Sequence, residues 1–100
     1  MLRTYWITFR LCDDADYQDR YDSLIRTIRK ATKGAPWEEP TSFIMFQSDL
    51  SPDALRNLIS LAIDQLVDVV VLAHVGYKEI YVIGYTDKEG DLKRMVPYLK

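Results

Sequence analysis

Three aspartates crowd one short stretch of the chain: Asp13, Asp14 and Asp16. Carboxylates gathered at a chain junction are hard oxygen donors. Doubled by a two-fold axis, they could hold a hydrated magnesium ion that activates water against a phosphodiester. The same residues also suit the start of a helix, where their oxygens accept orphan N–H groups and their charge meets the positive dipole end. Capping is the preferred reading. His74, the only histidine, is a conceivable general base or ligand. It closes an apolar run with no Cys, Ser or carboxylate at motif spacing, so a strand-end role, structural or solvent-facing, is expected. Cys12 precedes a helix start, where a thiolate is favoured. A small, half-buried residue is the expected role, since free cysteines are commonly just buried.

The basic residues are a second chemical group. Arg26, Arg29 and Lys30, with Lys33 behind them and Arg3 and Arg10 elsewhere, are the candidates for phosphate contacts to nucleic acid. Asp19, Asp22, Glu38 and Glu39 lie close in sequence, and cations suit a helix C-terminus, so a solvated helix face is preferred. Tyr77, Tyr81 and Tyr85 recur at every fourth position and, on a strand, share a face; core or interface packing is expected there. Gly34, Gly76, Gly84 and Gly90 are isolated, so no phosphate-binding loop exists, and zinc and nucleophile-elbow motifs are absent.

The elements that must carry these residues follow from periodicity. Residues 4–11 alternate, with Tyr5, Ile7, Phe9 and Leu11 on one side and Thr4, Trp6, Thr8 and Arg10 on the other: a strand. Tyr17, Tyr21, Leu24, Ile25 and Ile28 form one stripe of a helix over about 16–33, stopped by Gly34. The stretch 35–40, bounded by Pro36 and Pro40, can supply only a short edge strand. Residues 41–47 read as a strand apolar on both faces. Ser51-Pro52-Asp53 starts a second helix whose apolar stripe runs from Leu55 to Leu66. Residues 68–74 and 80–86 are strands, and Asp91 starts a short tail helix carrying Leu92, Met95 and Val96. The order predicts an α+β fold: a ferredoxin-like βαββαβ sandwich with an extra C-terminal strand and both helices on one sheet face.

At 100 residues the chain is one domain, 1–100. With 48% hydrophobic residues and a net charge of −2 it is not disordered, and one cysteine cannot staple it. The longest apolar run is strand-sized, so no membrane span is expected, and the chain enters a strand at once, so neither is a signal peptide. A lone thiol fits a reducing cytoplasm. The acidic balance does not suit a general nucleic-acid binder. Two helices on one face leave the other open, lined by Trp6, Thr8 and one member of each later apolar pair. A large apolar face is rarely left to water. A second copy, meeting it face to face with Trp6, Thr8, Tyr81 and Tyr85 at the interface, is preferred over cover by the tail helix.

Residues 5–50 resemble the superfamily of CRISPR-associated protein 2 and virulence-associated protein D, in particular its distant bacterial SinR branch. The resemblance rests on Tyr5-Trp6-Ile7-Thr8-Phe9-Arg10-Leu11, on Asp16-Tyr17-Gln18 with Tyr21-Asp22, and on Thr41-Ser42-Phe43-Ile44-Met45-Phe46 leading into a Ser-capped helix. It implies a ferredoxin-like homodimer, either a magnesium-dependent nuclease of RNA or DNA or a hub for nucleic-acid-handling protein partners. In the nuclease members an Asp closing the first strand binds the metal across the dimer. The matching residue here is Arg10, which offers no oxygen ligand. The expectation is therefore a cytoplasmic, non-catalytic homodimeric scaffold or regulatory module without cofactor. The alternative is a magnesium-dependent nuclease using Asp13, Asp14 or Asp16.

Overall fold

A computed structural model describes residues 1–100. Its elements are β1 (Arg3–Arg10), α1 (Tyr17–Ala31), β2 (Phe43–Ser48), α2 (Pro52–Ala62), β3 (Val69–His74), β4 (Glu79–Gly84) and α3 (Glu89–Met95). The four strands form one antiparallel sheet in the order β2-β1-β3-β4. Tyr5, Ile7 and Phe9 of β1, with Ile44, Phe46, Val70, Leu72, Tyr81 and Ile83 of its neighbours, turn to one side. There they pack under Leu24, Ile25 and Ile28 of α1 and Leu55, Ile59 and Ala62 of α2. The alternation of β1 is thus the division between core and open face.

The sheet has four strands where five were expected. The proline-bounded stretch contributes a single bridged pair, in which Trp37 and Met45 exchange both backbone hydrogen bonds at 2.8 and 3.0 Å. The ladder ends at this pair, and the Gln47 carbonyl instead accepts the Lys33 N–H at 2.8 Å. Trp37 runs antiparallel to β2, and β2 antiparallel to β1, so the Trp37 segment is parallel to β1 with β2 between them.

α2 begins as its residues require. The Ser51 hydroxyl accepts the Ala54 N–H at 3.2 Å and Pro52 takes the first helical position. It stops at Ala62, not at Leu66, because the Asp68 carboxylate accepts the Asp64 N–H and pulls the chain into a turn. Leu66 is left exposed. The tail helix starts at Glu89 and buries no residue. The last residues return to the outer edge of β4, where the Lys100 N–H donates to Ile80 and the Val82 N–H to Lys100. The tail therefore lengthens the sheet's edge and leaves its open face bare.

Candidate functional site

The metal hypothesis rests on the aspartates Asp13, Asp14 and Asp16. Asp14 is gripped by Arg20, whose two terminal nitrogens reach its carboxylate at 3.0 and 3.2 Å, and it accepts the Asp16 N–H. Arg20 also donates through Nε to Asp68 at 2.8 Å. Asp68 is fully buried. Its carboxylate additionally accepts the N–H groups of Cys12 at 2.8 Å and Asp64 at 2.9 Å. Burial opposes its charge, yet Arg20 and the two backbone donors outweigh that and hold its carboxyl below the usual range. The Arg20 hydrogen bonds likewise lower Asp14. Arg20 itself is held more firmly charged, chiefly by Asp68.

This cluster is a clasp tying the end of β1, the start of α1 and the entry to β3. Asp13 and Asp16 stand exposed without an ion pair, and Asp16 makes no side-chain cap. Asp14 accepts the Asp16 N–H just ahead of the helix, so none of the three caps α1 through its side chain as expected. A guanidinium occupies the position that a cation would take between Asp14 and Asp68. No three His, Cys, Asp or Glu side chains assemble around a common point, and these residues do not fit a magnesium site within one chain. Cys12 is half-buried, and its backbone N–H and carbonyl both join the clasp.

His74 has partners that its spacing concealed. It is 7% exposed and lies between the rings of Tyr5 and Tyr77, at 4.9 and 4.1 Å between centroids. Its Nδ1 is 3.2 Å from Glu79, whose other oxygen accepts the Tyr81 hydroxyl at 3.1 Å. Burial raises the Glu79 carboxyl, but the hydrogen bonds from Tyr81 and His74 bring it below the usual range. Burial and Glu79 push Tyr81 up to about 12. No cleft opens onto His74 and no nucleophile stands beside it. The arrangement latches the β3–β4 hairpin.

The basic residues divide. Arg26, Arg29 and Lys30 line an open groove of about 590 Å³ along α1, but Asp22 and Glu38 share it. Arg29 is tied to Glu38 at 3.1 Å and Lys33 to Asp49 at 3.7 Å. Arg10, at the end of β1, belongs to the other end of α1 and to the opposite sheet face.

That opposite face is the largest feature. Strand pairing sets Trp37, Met45, Trp6, Ala73, Ile80 and Leu99 side by side across it. The next row is Phe43, Thr8, Val71 and Val82. The Trp6 and Phe43 rings stack at 5.7 Å, and Trp37 meets Phe43 edge-on at 6.1 Å. Trp6 and Thr8 lie on this face as expected. Tyr81 does not: it is 4% exposed and belongs to the helix-side core. Tyr85 lies past the end of β4, exposed and outside the strand pairing that aligns the open face. For Tyr81 the reason is the register of β4, which turns the even-numbered Ile80 and Val82 outward instead.

No family model, curated protein or solved structure matches this chain.

Sequence reading passed over Arg20, Asp68 and Glu79. Asp68 looked like the polar start of a strand, and two of its three partners lie 48 and 56 residues away. Glu79 was readable in principle: a tight turn between two strands places the residues flanking it opposite each other, as His74 and Glu79 are.

Proposed function

We propose that the chain is a non-catalytic module that pairs with a second copy through its open sheet face and serves as a scaffold or regulatory protein. The apolar row from Trp37 to Leu99 carries this reading. Four strands spaced about 4.8 Å apart and roughly 20 Å long, with the bridged residues Trp37 and Leu99 at their edges, present on the order of 450 Å². Two such faces bury about 900 Å², at the small end for a specific interface. Arg10 is the only charged residue aligned on the face, so a nucleic-acid backbone would find little to hold. Sheets pack well on one another about 10 Å apart, and a flat, self-complementary surface suits a two-fold axis.

The architecture is best described as ferredoxin-like, with the Trp37 bridge standing for the second strand and β4 as the added one. Two observations support this. The Trp37 segment is parallel to β1 across β2, and β2 and β3 flank β1 in parallel. On this reading the chain is a divergent relative of CRISPR-associated protein 2 working in the cytoplasm. The nuclease alternative has no fitted ligand set in one chain, because Arg20 already neutralises Asp14.

Sedimentation equilibrium at micromolar protein should return twice the chain mass. Trp6→Glu, which places a charge at the centre of the face, should return the monomer with an unchanged circular dichroism spectrum. A wild-type chain that stays monomeric overturns the pairing. Cleavage of RNA or DNA with magnesium or manganese, abolished by Asp14→Ala, would overturn the non-catalytic reading.

A further inference from the structure

Two clefts meet at Arg56, on the outer edge of β4. In one, of about 260 Å³, Arg56, Lys93 and Lys100 converge beside Tyr85 and Thr86. In the other, of about 350 Å³, Arg56 is joined by Asn57, Ser60 and Gln65. Val82 and Gly84 border both, so the two adjoin. Such volumes suit a small ligand.

The charge at one end is notable in a chain of net charge −2. Three cationic side chains face a single acidic side chain, Glu89, which is tied to Lys93 at 3.6 Å. Arg56 makes no ion pair. Its guanidinium rests 5.4 Å from the centre of the Tyr81 ring. That ring is buried, its hydroxyl is fixed by Glu79, and Glu79 is fixed by His74. Arg56 is thus positioned by stacking rather than neutralised by a carboxylate, which leaves its planar fork of donors free. Phosphate oxygens match that fork.

The other end is polar and uncharged. Asn57 and Gln65 each offer an amide donor and acceptor, and Ser60 a hydroxyl. The backbone adds an acceptor. Val82 turns its N–H outward to Lys100, so its carbonyl points to the same side, where the pairing has ended. Cations at one end and amides at the other describe a ligand with a phosphate at one end and a hydrogen-bonding ring at the other.

We infer that this edge cleft binds a small phosphorylated ligand of the nucleotide class, its phosphate on Arg56, Lys93 and Lys100 and its ring beside Asn57 and Gln65. The cleft borders the open face, sharing Val82 and Leu99 with it, but its polar groups lie at the edge, so a loss of binding in Arg56→Met is read separately from the mass change in Trp6→Glu.

Isothermal titration of the full chain with adenosine and guanosine monophosphates, a pentose phosphate and inorganic phosphate tests the site. One of the nucleotides should bind best and inorganic phosphate least. Arg56→Met keeps an unbranched chain over Tyr81 but removes the charge, and should weaken nucleotide binding about tenfold or more while leaving the melting curve in place. Gln65→Ala should weaken the nucleotide and leave inorganic phosphate unchanged. No saturable binding at millimolar ligand, or equal affinity in Arg56→Met, overturns the site. Equal affinity for nucleotide, pentose phosphate and phosphate overturns the nucleotide assignment.

Discussion

Asp68 is the residue on which three elements converge. Its two oxygens receive the Arg20 side chain and the N–H groups of Cys12 and Asp64, so every lone-pair direction is engaged and its burial is compensated. Removing it strands a guanidinium and two backbone donors together. Asp68→Ala should cost about 3 kcal/mol, as breaking a buried pair from one side does. Denaturant titration measures this; a loss within the ordinary surface range of about ±0.5 kcal/mol would show that the clasp is idle. Asp13 and Asp16 make no such contacts, although by residue type they looked like the equals of Asp14, which joins this cluster through Arg20. Residue type marked the junction, but only distance in space separated the working carboxylate from the idle ones.

At the scale of elements, Gly84 decides how β4 ends. Its φ of +101° is a conformation that side chains disfavour, and an added Cβ would sit 2.1 Å from the Asp68 carbonyl. That carbonyl also accepts the Tyr85 N–H at 2.8 Å, so it cannot simply withdraw. Gly84→Ala should destabilise the chain by about 2 kcal/mol or more and loosen the β3–β4 edge. Hydrogen exchange at the Tyr85 amide would report it, and wild-type protection in the variant would refute the close approach. Elements whose cause is local were readable: the Ser51-Pro52 start of α2 and the alternation of β1 appear where the residues place them. The end of α2 was not, because Asp68, which turns the chain there, precedes a different element.

For the molecule as a whole, three carboxyls are held below their usual range: Asp14, Asp68 and Glu79. A carboxyl depressed in the folded state contributes stability that is complete above its unfolded pKa, about 4 for these residues, and is lost as pH falls through the folded value. The melting temperature should therefore hold steady from neutral pH to about 5 and fall as acid is added below that. Asp68→Asn should flatten the decline. A wild-type melting temperature unchanged down to pH 3 would show that these contacts contribute nothing.

Period and end signals in the sequence determined the element types, their order and the division of β1 into an inward and an outward face. They did so because backbone geometry repeats locally and water is excluded from one side of each element. Tertiary structure alone decided which outward residues share a surface. Strand pairing aligned Trp37 with Leu99 and paired His74 with Glu79, and it carried Tyr81 inward, away from the face it was expected to line. Register depends on how several strands satisfy one another's hydrogen bonds and one common core, and no single stretch of residues contains that condition.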